Sequence, residues 1–160
     1  MSINTISNMF RSQKVSASAL KVGRRWMDIL SNNIANSNTV DTGLKSKEGN
    51  FIPYARQVPV FQKVLSEKFQ ENRVNKDVLD GVKVDEIIHV KGNEKKMYDP
   101  NHPAARKAGT KDAGYVYYPG VSVSQEMADM KIAAMFYEAN VTSISVANKM
   151  MDQALSLGRN

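Results

Sequence analysis

Positions 123, 127, 130, 134, 137, 141, 144, 148, 151 and 155 are spaced alternately four and three apart. They carry Val123, Met127, Met130, Ala134, Tyr137, Val141, Ile144, Asn148, Met151 and Leu155. Nine of the ten are apolar or aromatic, a heptad seam over more than four repeats, and the pattern predicts a long C-terminal helix. Asn148 is the single polar residue on the seam, where a buried amide can set register or a rotated helix can leave it in solvent. Pro119-Gly120 and Gly158 punctuate the two ends. The N-terminal segment keeps the same period through Ile3, Ile6, Phe10, Gln13, Ala17, Leu20, Arg24, Met27, Ser31 and Ile34, seven of them apolar, and predicts a helix over about 4–36. Each helix would measure about 50 Å at ~1.5 Å per residue.

Between them the pattern changes. All five prolines and seven of the nine glycines fall within residues 41–121. Val58-Pro59-Val60-Phe61, Tyr115-Val116-Tyr117-Tyr118, and Val82, Val84 and Ile87-Ile88 after the turn dipeptide Asp80-Gly81 are strand candidates, the last with a possible hairpin. Charged, turn-rich runs such as Lys91–Lys96 separate them. The fold class this predicts is α+β: residues 1–40 and 122–160 form long terminal helices that pair as a coiled coil, and residues 41–121 form a small β-rich domain with long loops.

One seam per helix is little burial for two helices of this length, because helical stability comes chiefly from packing an apolar face. Further burial against other chains resolves this. The alternative is that both helices pack on the β-rich part of a monomer, and the pattern alone leaves both open.

The chemistry of the chain narrows the function by exclusion. It has no cysteine, so disulfides, thiol catalysis and cysteine-ligated metals are ruled out. His89 and His102 lack spaced partners, and Gly109–Gly114 lacks the Lys-Ser/Thr that completes a phosphate loop. Asp99 and Asp112 could form a carboxylate pair, but nothing in the sequence brings them together. The sequon at Asn140-Val141-Thr142 falls inside the predicted seam. An enzyme is therefore not expected, and neither is a cofactor or metal. The net charge of +6 raises a nucleic-acid-binding coiled coil as the rival reading. Its distribution argues otherwise: residues 1–40 are basic, residues 122–160 slightly acidic, and only Lys21, Arg24 and Arg25 cluster. The longest apolar run, Ile132–Tyr137, is too short to insert into a bilayer. The N-terminus lacks the charged and apolar regions of a cleavable leader.

Residues 26–39 read Trp-Met-Asp-Ile-Leu-Ser-Asn-Asn-Ile-Ala-Asn-Ser-Asn-Thr, an amide-rich exit from a helix. This stretch resembles the N-terminal signature of the bacterial flagellar rod and hook proteins. Further stretches resemble the proximal-rod members: Tyr98–Ala104, Gly114-Tyr115-Val116, Tyr118–Val121, Glu126-Met127, Met130 and Tyr137–Thr142. Residues from about 44 to 97 carry no such signature. The resemblance implies a structural subunit of the periplasmic rod, exported uncleaved through the flagellar type III apparatus, with terminal helices that pair to line the inner tube and order on assembly. The implied partners are further copies, other rod proteins, rod-base and MS-ring components, and the export apparatus, with no nucleic acid and no membrane insertion. The expected assembly interface comprises Ile6, Phe10, Leu20, Met27, Asn32, Asn33, Ile34, Asn36, Asn38 and Thr39 from the N-terminal part. From the C-terminal helix it takes Met127, Met130, Tyr137, Asn140, Val141, Ile144, Asn148, Met151 and Leu155. The four asparagines could cap the helix end or bridge neighbouring subunits.

Overall fold

The computed structural model describes residues 3–47, 49–70, 73–109 and 112–157, and the side chains of 10–47, 49–64, 81–109 and 112–156. It contains two long helices, α1 (Ile3–Ala35) and α2 (Val123–Leu157), and four strands between them. The strands are β1 (Arg56–Gln70), β2 (Arg73–Val90), β3 (Lys95–Tyr98) and β4 (Tyr115–Tyr118). They form two two-stranded sheets, β1 with β2 and β3 with β4. The architecture is α+β. Two compact units share these elements. One comprises Met1–Met27, Pro59–Glu86 and Lys131–Asn160, the other Asp28–Val58 and Ile87–Met130.

Both helices form where the 3.6-residue pattern places them. The strands fall partly elsewhere. The candidates at 58–61 and 115–118 lie in β1 and β4. In a two-stranded sheet every strand has a free edge, which is why β1 accommodates Pro59. Asp80-Gly81, expected as a turn, instead lies inside β2. Residues 71–72, between β1 and β2, lie outside the described residues. Lys95 and Lys96, expected in a charged loop, open β3. β3 pairs antiparallel with β4 in the register Lys95 to Tyr118 and Tyr98 to Tyr115.

Gly81 has a packing role in the first unit. A Cβ at this position would lie 2.6 Å from the Ser18 Oγ on α1. The hydroxyl accepts the Val82 amide at 3.0 Å and donates to the Val15 carbonyl at 2.7 Å. A helix side chain thus bonds directly to strand backbone, possible only where the strand carries no side chain. Trp26 meets Phe61 of β1 edge to face, ring centroids 5.5 Å apart. Among the described residues Ala19, Val22 and Ala133 are buried in this unit. In the second unit the buried residues include Ile29, Leu30, Val116 and Val121, together with the polar Asn33 and Glu126.

Replacing Gly81 with Ala is expected to destabilise the purified chain by about 1–3 kcal/mol through overpacking against Ser18. Urea melts of the two proteins measure this, and an unchanged midpoint would show that the helix and strand do not make this contact in solution.

Candidate assembly interface

The face that α2 buries is polar or small along half of its positions. Its least exposed residues are Glu126, Met130, Ala133, Tyr137, Asn140, Ile144, Ala147, Met151 and Ala154, again four and three apart. Met130, Tyr137, Ile144 and Met151 lie on the line expected from the sequence. The alternate positions do not: Glu126, Ala133, Asn140, Ala147 and Ala154 turn inward. Met127, Val141, Asn148 and Leu155, each one residue later, are exposed, and Ala134 is half-buried. Met127 is 58% exposed and Leu155 67%. These bulky side chains recur every fourteen residues, at 127, 141 and 155 on one flank. Ile132 and Val146, and Phe136 and Met150, repeat at the same interval on the other flank, and all four are exposed. Two heptads return a side chain to nearly the same side of a helix, about 21 Å further along at ~1.5 Å per residue, so each set recurs at spaced points along one flank.

Among the described residues of α1 the buried positions are Ala19, Val22, Gly23, Ile29, Leu30 and Asn33, with Trp26 half-buried among them. Leu20, Met27 and Ile34 are half-buried beside that line, whereas Phe10, Ala17, Arg24 and Ser31 are exposed. The Ile6 side chain lies outside the described residues, and so does Gly158, the expected stop of α2. Within the first unit, Gln13 Nε2 donates to Asn148 Oδ1 at 2.8 Å. A Cβ on Gly23 would meet Phe136 at 3.3 Å and Tyr137 at 3.6 Å. Asn148 is thus exposed and bonded across to α1.

The amide-rich exit of α1 divides its four asparagines among different tasks. Asn36 closes the helix: its amide and its side chain both donate to the Asn32 carbonyl, at 3.0 and 2.9 Å. Thr39 donates to Asn36 Oδ1 at 3.2 Å, and the Thr39 carbonyl accepts the Tyr54 amide at 3.0 Å. Asn32 and Asn38 are exposed.

Asn33 is fully buried. Its amide nitrogen donates to the Gln57 carbonyl at 2.8 Å and to Glu126 Oε2 at 2.9 Å. Its oxygen accepts the Gln57 amide and the Tyr54 hydroxyl, both at 2.9 Å. Two donors and two lone pairs are the full capacity of an amide, and all four are engaged. Glu126, equally buried in the first turn of α2, takes Arg56 Nε at 2.6 Å on its other oxygen. Asp129 stands 3.9 Å from the same guanidinium. Burial, and then the charge of Glu126, hold the Tyr54 hydroxyl above its ordinary pKa of 10.0. Tyr54, Arg56 and Gln57 carry no pattern that marks them in the sequence, and Glu126 stands there only within a motif. The one available signal was an acidic residue next to an otherwise apolar heptad line.

The other chemistry-bearing candidates occupy ordinary positions. His89 is exposed, and His102 Nδ1 accepts the Ala104 amide at 3.0 Å within a turn. Lys21, Arg24 and Arg25 are exposed on α1. Thr110 and Lys111 of the glycine-spaced loop lie outside the described residues. No helix among the described residues is long and apolar enough to cross a membrane.

Two family models match the chain. Residues 14–41 match that of the flagella basal body rod protein, and residues 112–157 that of the flagellar basal body rod FlgEFG protein C-terminal region. The flagellar basal-body rod protein FlgC of Bacillus subtilis is 33% identical over 157 residues, covering 94% of this chain and 98% of that protein. FlgC of Borreliella burgdorferi is 36% identical over 154 residues, covering 93% and 97%. FlgC of Escherichia coli is 32% identical over 147 residues, covering 91% and 94%. The chain belongs to the FlgC-type flagellar basal-body rod proteins. It is a structural subunit of the rod.

For a FlgC-type subunit the matched segments have structural meaning. The first includes Asn33 and the second Glu126, so the buried amide–carboxylate pair joins the two segments recognised as flagellar. Arg56, Tyr54 and Gln57, which complete the cluster, come from the unmatched stretch between them.

Asn33→Ala is expected to cost about 3–5 kcal/mol, because it strands the buried Glu126 together with Tyr54 and both backbone groups of Gln57. Asn33→Asp should be worse near neutral pH, since it removes both donors and sets a second carboxylate against Glu126. Its deficit relative to the parent chain should shrink on acidification as the carboxyls share a proton, which chemical melts at several pH values measure. Tyr54 gives a second pH signature. Its folded pKa is raised, so its contribution is complete below pH 10.0 and is lost as pH rises through the folded value. Tyr54→Phe should therefore flatten the alkaline limb of the stability profile.

Proposed function

We propose that this FlgC-type subunit polymerises through the exposed apolar flanks of α2 and the neighbouring part of α1. The observation that carries the reading is the distribution of side-chain bulk on α2. Its inward line uses alanines and polar groups at alternate positions, while Met127, Val141 and Leu155 on one flank and Ile132, Val146 and Met150 on the other are exposed. Large apolar side chains left exposed on both flanks of one helix are surface that a neighbouring chain can cover. Exposed apolar surface of this kind on an isolated chain marks sites of protein contact.

In this reading α1 and α2 continue as an antiparallel coiled coil. The Gln13–Asn148 hydrogen bond and the rings of Phe136 and Tyr137 over Gly23 support it. Neighbouring subunits then cover the flanks, as further copies and as other rod proteins, with rod-base and MS-ring components at the end of the assembly. Such an array of helices would transmit torque and enclose the export channel. The subunit would reach the periplasm through the flagellar type III apparatus with its N-terminus uncleaved. Asn32 and Asn38, exposed beside the closed helix end, are available for bonds to a neighbour.

Val141→Asp and Leu155→Asp test this. Each alters an exposed position, so the melting of the isolated chain should move by no more than about 0.5 kcal/mol. Sedimentation velocity of the chain mixed with purified rod proteins should lose the larger species in both variants. Assembly driven by apolar contact should also persist at high salt, where phosphate-driven association would fall away. Retention of full assembly in both aspartate variants would remove α2 as the interface.

A further inference from the structure

Arg106 is held in place by its surroundings and left with an unmet donor. Its amide donates to the Tyr115 carbonyl at 3.1 Å, and its carbonyl accepts the Gly114 amide at 3.0 Å. The guanidinium stands 3.9 Å from the centre of the Tyr117 ring. The carboxylate of Asp112 lies 3.6 Å from Nη1, beyond hydrogen-bond range. That carboxylate already accepts the Tyr117 hydroxyl at 2.5 Å and Lys96 Nζ at 3.4 Å. Those two groups, Tyr117 first, hold its pKa below the usual carboxylate value. Arg106 Nε is the one buried side-chain nitrogen or oxygen among the described residues that has no hydrogen-bond partner. Buried charged donors are almost always paired, so the exception calls for a reason.

Arg106 also lines a cleft of about 300 Å³. Lys91 supplies a second cation to its wall, and Phe51, Ile52, Pro53 and the Tyr117 ring supply apolar surface. Glu94 is the one acidic residue in that wall, and its Oε1 accepts the Gly92 amide at 3.1 Å. Asp112 is not part of the lining. The cleft therefore joins a planar donor fork, a second positive charge and apolar walls in a space the size of one or two side chains. An inorganic anion would leave the apolar walls without a counterpart. A carboxylate on a methylene stem uses both features, and a guanidinium matches a carboxylate edge to edge.

We propose that this cleft receives an Asp or Glu side chain from another polypeptide packed against this part of the subunit. The carboxylate bonds to Arg106 and pairs with Lys91, and the stem lies against Phe51 and Ile52. The proposal rests on the reading of the chain as an assembling subunit, and it assigns a site away from the α2 flanks.

The direct readout is the Arg106 Nε–H resonance of the full-length, nitrogen-15-labelled chain, assigned by its loss in Arg106→Lys. The probe is N-acetyl-glutamate N-methylamide, with the glutamine analogue and inorganic phosphate as controls. A saturable shift with the glutamate probe, absent with glutamine and weaker with phosphate, is expected. Lys91→Gln should weaken the glutamate response several-fold while leaving the resonance in place. Absence of a saturable shift, or an equal response to phosphate, overturns the proposal, the second result identifying a free-anion site instead. This titration uses the unassembled chain, so its failure leaves the α2 interface untouched. Retained assembly in the α2 aspartate variants would leave the titration unchanged, whereas the absence of any larger species in the mixture would overturn the polypeptide as the occupant.

Discussion

A single side-chain amide organises the second unit. From its position near the end of α1, Asn33 uses all its hydrogen-bonding capacity on partners from two places: the Tyr54–Gln57 stretch entering β1 and the first turn of α2. Through Gln57 it bonds to one residue's amide and carbonyl together, as a neighbouring strand would. Through Glu126 it reaches a carboxylate that is in turn neutralised by Arg56. Each buried polar group in the set depends on another for its partner. Such a network specifies one arrangement of its elements, since any slip leaves a donor or charge unmet inside the protein.

How much of this was legible in the sequence depended on the kind of signal. The helices were visible because their apolar period is long and proline-free, and β4 because its aromatic run is compact. Four positions of the α2 line, Met130, Tyr137, Ile144 and Met151, were also visible. The alternate positions were not, because a hydrophobic pattern ranks Met127 above Glu126 and Val141 above Asn140. The folded chain turns the polar member of each pair inward. Glu126 can be buried because Asn33 and Arg56 meet it, a fact that lies in residues distant along the chain. Asp80-Gly81 misled for a related reason: a glycine that serves close approach by Ser18 has the same spelling as one that serves a turn.

The same reversal leaves large apolar side chains on the outside of α2. Were every bulky residue of α2 packed within its own chain, the helix would describe a finished monomer. Instead several bulky residues that stay exposed recur every two heptads. An exposed residue at random needs no explanation. Exposed bulk repeated at helical spacing is the feature on which the proposed interface rests.

The polar character of the Asn33 cluster has a thermal consequence. Unfolding exposes apolar surface, which raises the heat capacity, and polar surface, which lowers it. In a unit whose junction is an amide, a carboxylate, a guanidinium and a phenol, the two contributions oppose each other. The free energy of such a junction then varies gently with temperature, with less of the curvature that a purely apolar core imposes. The joint between the two flagellar segments is thereby suited to hold with similar firmness in cold and warm surroundings.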